Sequence, residues 1–378
     1  MDTKRIPEAF HPGEYLRDEL EAREWTQADL SAILSYPPTI VSDIITGRRS
    51  ISAENAAALA DAFGTSAQLW LNLQAAYQLA RETSKDEMIS RRARLYNKAP
   101  IREMIRRGWF EDSSSIEVLE TQVCQFFEID RIEDPVSLHH AARKSTDYGN
   151  VTVLQLAWLA RARQLARALE VERPYDAENF DSLMVELADL RSEVSDAGYV
   201  PTVMSKYGIR CIVLEQFPGS KMDGACLWLD SDPTKPVVVV SLRYDRLDFF
   251  WHTLCHELAH VKTQEGLENP LIEIAMIGRD AQQEKQNKER KADEFAVRFL
   301  VDQKELEHFV ERKHPLYSKK EIVVFASSVR THPGIVVGQL QHRGHIPYTH
   351  LRALLVSVKD VITRTALTDG WGRTVRAA

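Results

Sequence analysis

The sequence predicts an α+β chain that is mostly helical. A five-helix region comes first, then a helical middle region, then a region in which a small antiparallel sheet leads into a long motif-bearing helix. Three observations predict this. Apolar residues recur at helical spacing, punctuated by Gly or Pro, five times within residues 11–80. The helical period persists through most of 81–200. After Gly198 it gives way to short β-rich runs separated by turn residues, and then to a helix beginning near Asp245. A chain of 378 residues exceeds one compact core, and domains are expected at 1–80, 81–200 and 201–378.

Composition narrows the class. With 44% hydrophobic and 27% charged residues, the chain falls among soluble globular proteins. No apolar run reaches the roughly 18–20 residues of a membrane helix. Met1 to Phe10 carries charges and Pro7 and lacks the apolar stretch of a signal peptide, so a cytoplasmic location without a membrane partner is expected. Cys124, Cys211, Cys226 and Cys255 are scattered, with no C-x-x-C pair. They are expected to be reduced, mostly buried thiols, neither a disulfide framework nor a cysteine zinc site. The net charge of −7 argues against wholesale coating of nucleic acid and leaves a local DNA-reading surface open.

Each N-terminal helix has its own signal. Pro12-Gly13 precedes a stretch with Tyr15, Leu16, Leu20 and Trp25 in apolar period. Thr26 is an N-cap for a helix carrying Leu30, Ile33 and Leu34. Pro37-Pro38 ends that element and starts a third, because proline is tolerated in a first turn; it carries Ile40, Val41, Ile44 and Ile45 and stops at Gly47. Ser52 caps a fourth, ended by Gly64, and a fifth begins near Ser66 with Leu69, Trp70, Leu73 and Tyr77. Five such helices form the pattern of a small helical DNA-binding domain. In the middle region, 81–107 is basic, residues 112–115 read as a linker or cap, Leu154 to Leu169 as an amphipathic Arg-rich helix and Tyr175 to Ser195 as another. No chemistry is visible there, and packing or partner binding is expected.

In the last region, Ile209 to Leu214, Ala225 to Leu229 and Val237 to Ser241 read as strands, with turns at Pro218-Gly219-Ser220 and Asp232-Pro233. The helix that follows contains His256-Glu257-Leu258-Ala259-His260, an H-E-x-x-H motif. Histidines four apart share one helix face and can reach one metal, while the glutamate between them can hold a water. Phe249, Phe250, Trp251, Leu254, Leu258 and Val261 make the surroundings apolar, where unpartnered imidazoles would be costly. An open metal site needs a third ligand. Glu289 lies on the flank of a helical stripe of Ala292, Phe295, Ala296, Phe299 and Leu300 and is the leading candidate. Asp293, one turn on, would hydrogen-bond a ligand histidine. Glu265, Glu268, Glu284 and Glu294 are rivals. His252 reads as a supporting or packing residue and Cys255 as core. Two histidines and a carboxylate favour zinc, with manganese or another divalent ion compatible. Glu257 would be the general base. The strand Val237 to Ser241 or Ala225 to Leu229 would hold an extended peptide, and Tyr244, His332 or Tyr348 would face the oxyanion.

Gly208-Ile209, the run from Asp248 to His260, and Glu289-x-x-Ala292-Asp293-x-Phe295-Ala296 together resemble the ImmA/IrrE metallopeptidases. The segment His332 to Gln341 resembles their closing helix, so the likeness spans about 205–345. It implies a zincin-like domain and a zinc-dependent endopeptidase of narrow range, often cleaving a helix-turn-helix repressor of stress or mobile-element genes. By that likeness His256, His260 and Glu289 are the zinc ligands and Glu257 the catalytic residue. Two departures are His252, where an aromatic or aliphatic residue is usual, and Leu300-Val301-Asp302, which lacks an expected proline.

His11-Pro12-Gly13-Glu14, Thr26-Gln27-Ala28-Asp29-Leu30, Ser42 to Arg49 and Trp70-Leu71-Asn72-Leu73-Gln74 resemble the HigA-like branch of the Xre helix-turn-helix family. That likeness implies that Gln27 touches phosphate, that Thr39, Ser42 and Asp43 face the major groove, and that Arg48 and Arg49 clamp the backbone. Residues 1–80 hold six Lys and Arg against eleven Asp and Glu, a net −5. DNA affinity rests largely on cations, so the module alone would bind weakly unless dimerisation or the basic 81–107 stretch compensates. Two functions are expected: a peptidase that cuts a transcriptional regulator, or an antitoxin-like operator binder whose metal domain senses or stabilises. An intact Glu257 favours the first, because a structural metal needs no base.

Overall fold

The computed structural model describes residues 10–81, 83–136, 151–265, 267, 271–274 and 283–375. Its contacts divide the chain into two compact units, Met1–Ala93 and Arg94–Ala378.

The first unit is built from α1 (Pro12–Ala22), α2 (Gln27–Leu34), α3 (Pro38–Thr46), α4 (Ala53–Phe63) and α5 (Ala67–Arg81). Local chemistry sets the helix ends. Thr26 and Asp29 form a reciprocal capping box on α2, and the Ser52 hydroxyl accepts from the Asn55 N–H on α4. α3 and α4 end on Gly47 and Gly64 at φ +77° and +68°, where a Cβ is strained. Gly13 answers to packing, because a Cβ there would lie 2.2 Å from the Ile45 carbonyl oxygen of α3. Leu16, Leu30, Val41, Ile44, Leu59 and Trp70 form the buried centre, and the Trp70 indole donates to Thr65 Oγ1 at 2.9 Å.

After α6 (Thr83–Lys98), which spans the division, the second unit continues through α7 (Ile101–Arg106), α8 (Ile116–Phe127), α9 (Val153–Ala168), α10 (Phe180–Asp189) and α11 (Val200–Lys206). The strands β1 (Arg210–Leu214), β2 (Met222–Trp228) and β3 (Pro236–Val240) then precede α12 (Leu247–Thr263) and β4 (Leu271–Ile274). The remaining elements are α13 (Gln283–Leu300), α14 (Gln303–Lys313), α15 (Lys319–Ser328), α16 (Pro333–His342), α17 (Lys359–Ile362) and β5 (Leu367–Asp369). Among the described residues the sheet has five strands in the order β4-β2-β3-β1-β5.

That sheet is mixed, which corrects the expected antiparallel one. β2 pairs antiparallel with β3 and β4, whereas β1 pairs parallel with β3 and β5. The turn Phe217–Ser220 does not fold β2 back onto β1; β3 takes the place beside β1, and β5 arrives from the far end of the chain. The topology overturns the expected peptide-holding strand Val237 to Ser241, since β3 is paired on both sides, and leaves β2 paired on both sides over residues 224–226.

Alternation along the strands puts a helical layer on each face. Cys211, Val213, Cys226, Val238 and Val240 join the core that includes α12 and α16. Ile212, Leu214, Ala225, Leu227, Val237 and Val239 join Trp158, Leu165 and Phe126 of α8 and α9. Helices from the 81–200 region thus share the core of the second unit. The sequence pattern gives α9 an arginine-rich outer face, yet Arg161 is 4% exposed. Its guanidinium donates to Asp369 of β5 at 2.5 and 3.0 Å, and Trp109 Nε1 donates to the same carboxylate at 2.9 Å. Removing one member of a buried ion pair strands the other charge, so Asp369→Ala should cost about 3–5 kcal/mol. Urea unfolding measures this, and a loss below about 1 kcal/mol would show that the pair does not fasten the terminal strand.

Candidate metal centre

α12 is buried along nearly its whole length, with Leu247, Phe250, Trp251, Leu254, Leu258 and Val261 in the core. His256 and His260, each 2% exposed, occupy the face turned to α13. Their Nε2 atoms are 3.1 Å apart. Glu289 of α13 brings Oε2 to 3.2 Å from His256 Nε2 and 3.8 Å from His260 Nε2. Metal–ligand bonds of about 2.0–2.1 Å in a tetrahedron place ligand atoms roughly 3.3 Å from one another. The three donors sit close to that spacing, so they fit a divalent ion and leave one corner of the tetrahedron to a fourth group.

The outward nitrogens of both rings are also engaged. His256 Nδ1 lies 2.8 Å from Asp293 Oδ1, and His260 Nδ1 lies 2.8 Å from Glu265 Oε2. A carboxylate on Nδ1 favours the proton there and leaves the Nε2 lone pair to ligate, the tautomer a metal needs. Asp293 is the carboxylate beside the His256 ring. Glu265, a rival ligand by sequence, supports His260 instead. It is held by the turn that closes α12, where its N–H donates to the His260 carbonyl and its carbonyl accepts from Trp228 Nε1. Burial works against the Glu289 carboxylate, and the hydrogen bonds and charges of His256 and His260 outweigh it, holding the carboxyl at about 2. Burial opposes ionisation of Asp293 too, and its contact with His256 again prevails and lowers it. Of the other rivals, Glu294 pairs with Arg290 at 3.0 Å on the exposed side of α13; Glu268 and the Glu284 side chain lie outside the described residues.

Glu257 is 1% exposed. A Cβ on Gly224 of β2 would approach its Oε1 to 2.8 Å and Thr253 Cγ2 to 2.7 Å, so the glycine opens the slot that the glutamate fills. Nothing in the strand pattern signals that role. His252, one turn before His256, stays out of the ligand group: Nε2 is 4.0 Å from Asp293 Oδ1, and burial pushes its pKa down to about 4. Cys255 is buried, with its thiol pushed up by burial. Of the three residues considered for an oxyanion, His332 accepts from the Gly334 N–H as the cap of α16, and Tyr244 stacks on Phe249. Tyr348 lines a cavity beside His252.

In the first unit, Gln27 opens α2 and Thr39 lies in the first turn of α3, both exposed; Ser42 and Asp43 are half-buried on α3, and Arg48 and Arg49 are exposed just beyond it. The six share the helix pair and the turn after it.

The convergence of donors implies that the purified chain retains a divalent ion, measurable by elemental analysis. Glu289→Ala should lose it, and Asp293→Ala should weaken it about 10–100-fold. Retention by Glu289→Ala at undiminished affinity would show that the carboxylate is no ligand.

Comparison with known proteins agrees with this layout. A helix-turn-helix family profile matches residues 16–70, and the profile of the IrrE N-terminal-like domain, a peptidase family, matches residues 205–343. Virulence-associated protein I of Dichelobacter nodosus is 40% identical over 72 residues, 19% of this chain and 67% of its own length. The uncharacterized HTH-type transcriptional regulator YddM of Escherichia coli is 32% identical over 84 residues, 22% of this chain and 88% of its own. Among solved structures, the Pseudomonas aeruginosa antitoxin HigA with higBA promoter is 41% identical over 21% of this chain and 90% of that one, with a TM-score of 0.21. The chain therefore belongs to the helix-turn-helix proteins through residues 16–70 and carries an IrrE N-terminal-like domain over residues 205–343.

Proposed function

We propose that the chain is a zinc-dependent endopeptidase that cuts a specific intracellular protein, with a helix-turn-helix domain that reads DNA. One observation carries the catalytic half: buried Glu257 sits next to the first of two imidazoles that converge with Glu289. Two imidazoles and a carboxylate suit zinc, and manganese would also be accepted. Bound there, the ion would supply Lewis acidity and an acidified water. His256, His260 and Glu289 would hold it, with Asp293 and Glu265 fixing the rings. Glu257 would take a proton from the attacking water and return it to the leaving amine. The buried α12 and the sheet behind it keep that carboxylate in place.

The first unit supports a substrate in the same regulatory circuit, a helix-turn-helix repressor, and a cytoplasmic site of action. Gln27, Arg48 and Arg49 would contact phosphate, with Thr39, Ser42 and Asp43 towards the groove, and a homodimer would double the few cations. The completeness of that unit favours a second reading, an antitoxin-like operator binder whose metal domain is a sensor.

Co-expression with candidate repressors separates the two. Wild type should yield a metal-dependent fragment, and Glu257→Gln should retain the ion while losing about 10²–10⁴-fold in rate. Tight operator binding with no fragment from any repressor would establish the second reading. On operator DNA, Arg48→Ala with Arg49→Ala should weaken binding about equally across sequences and flatten the salt dependence by about one unit for each phosphate no longer neutralised. An unchanged salt slope would remove both arginines from the interface.

A further inference from the structure

We propose that the cavity between α12, α13 and α16 is the specificity pocket of this site, accepting a large uncharged apolar side chain next to the scissile bond. The inference rests on the peptidase reading above and deepens it.

Two residue rows lead from the metal centre into the cavity. On α12, His260, His256 and His252 follow one another at four-residue steps. On α13, Glu289, Asp293 and Val297 do the same. Asp293 links the rows, at 2.8 Å from His256 Nδ1 and 4.0 Å from His252 Nε2. The next pair, His252 and Val297, lines a cavity of about 210 Å³. Four residues advance a helix by about 6 Å, so the His252 wall of the cavity lies about one turn from the ligand His256. An extended peptide advances about 3.3 Å per residue, which brings a side chain adjacent to the cut bond to the cavity mouth.

The lining decides what enters. Phe249, Val297, Leu300 and Ile335 supply apolar wall, and Gly338 lets the Asp248 carboxylate pack close against α16. A Cβ on Gly338 would meet Asp248 Oδ2 at 2.4 Å. The ionic groups around the cavity are engaged with protein partners. Arg246 grips Asp248 at 2.6 and 3.0 Å, Asp223 faces Arg243 at 3.5 Å, and Arg343 donates to Gln303. A charged occupant inside the cavity would therefore lose its hydration beside Arg246 and Asp248, which are already paired with each other, while Arg343, bonded to a neutral amide, stands at the exposed rim. An apolar cavity of about 150 Å³ already accommodates benzene, so this volume suits Phe, Leu or Met.

The test uses the zinc-loaded full-length chain and calorimetry, which reads binding independently of turnover. The probes are acetohydroxamate and peptide hydroxamates whose side chain next to the chelating group is that of Gly, Leu, Phe, Glu or Lys. The Leu and Phe compounds should bind about tenfold or more tightly than the Gly one, with Glu and Lys no better than Gly. Val297→Phe, which fills the cavity, should erase the Leu and Phe gain and leave acetohydroxamate unaffected. Val297→Ala, which enlarges it, should retain the Phe gain even if the bulkier variant fails to fold. Equal affinities across the series, or a preference for Glu or Lys, would overturn the pocket while leaving the metal site standing. Failure of acetohydroxamate itself to bind would overturn both.

Discussion

The second unit depends on holding several ionisable groups at the contact of α12 with α13. Carboxylates and imidazoles alternate there in one chain: Asp293, His256, Glu289, His260, Glu265. Three acids bracket two rings, and Glu257 adds a fourth acid behind them. With the rings neutral, the mostly buried Glu289 and Glu265, beside the half-exposed Asp293, bring an excess of negative charge that favours a cation. Either the rings take up protons or a cation enters. The inward Nε2 atoms, only 3.1 Å apart, repel if both are protonated, so a cation between them relieves more strain than protons do.

The site is legible in the sequence wherever its logic is local to a helix. Histidines four apart must share a face, and so must Glu289 and Asp293; the placement of both pairs needs only the 3.6-residue period. The caps at Thr26 and Ser52 and the stops at Gly47 and Gly64 are equally local. What escapes depends on partners distant along the chain. β1 takes β3 and β5 as neighbours across the intervening β2, and short apolar strands carry no mark of which partner they will choose. Arg161 reads as part of a solvated face because its counter-charge, Asp369, lies 208 residues away. Gly224 looks like a weak point in a strand, and only the position of Glu257 shows why the space is needed.

The first unit poses the opposite electrostatic problem. Its fold follows from caps, glycine stops and a small core, none of which concerns charge. Its net charge opposes binding to a polyanion, so affinity must come from the placement of a few cations. Arg48 and Arg49 stand exposed just after α3, close to where a recognition helix would meet the backbone. If this unit reads DNA as proposed, binding would gain most from a second copy or a second contact, since linked weak contacts multiply. Such binding is also easily reversed, which suits a regulator.

Position separates the roles of the four acids more sharply than chemistry does. Glu289, Asp293 and Glu265 each meet an imidazole nitrogen, and at Glu289 and Asp293 the histidine contacts favour the ionised carboxylate against burial. A carboxylate held ionised makes a good ligand and a poor proton acceptor. Glu257 lies on the sheet side of the same helix turn, in the slot left by Gly224. A group that takes up and returns a proton within one turnover needs a place near the reacting atoms. That Gly224 leaves room for a carboxylate there, where any side chain would close the slot, argues that the fourth acid has a task beyond filling the core.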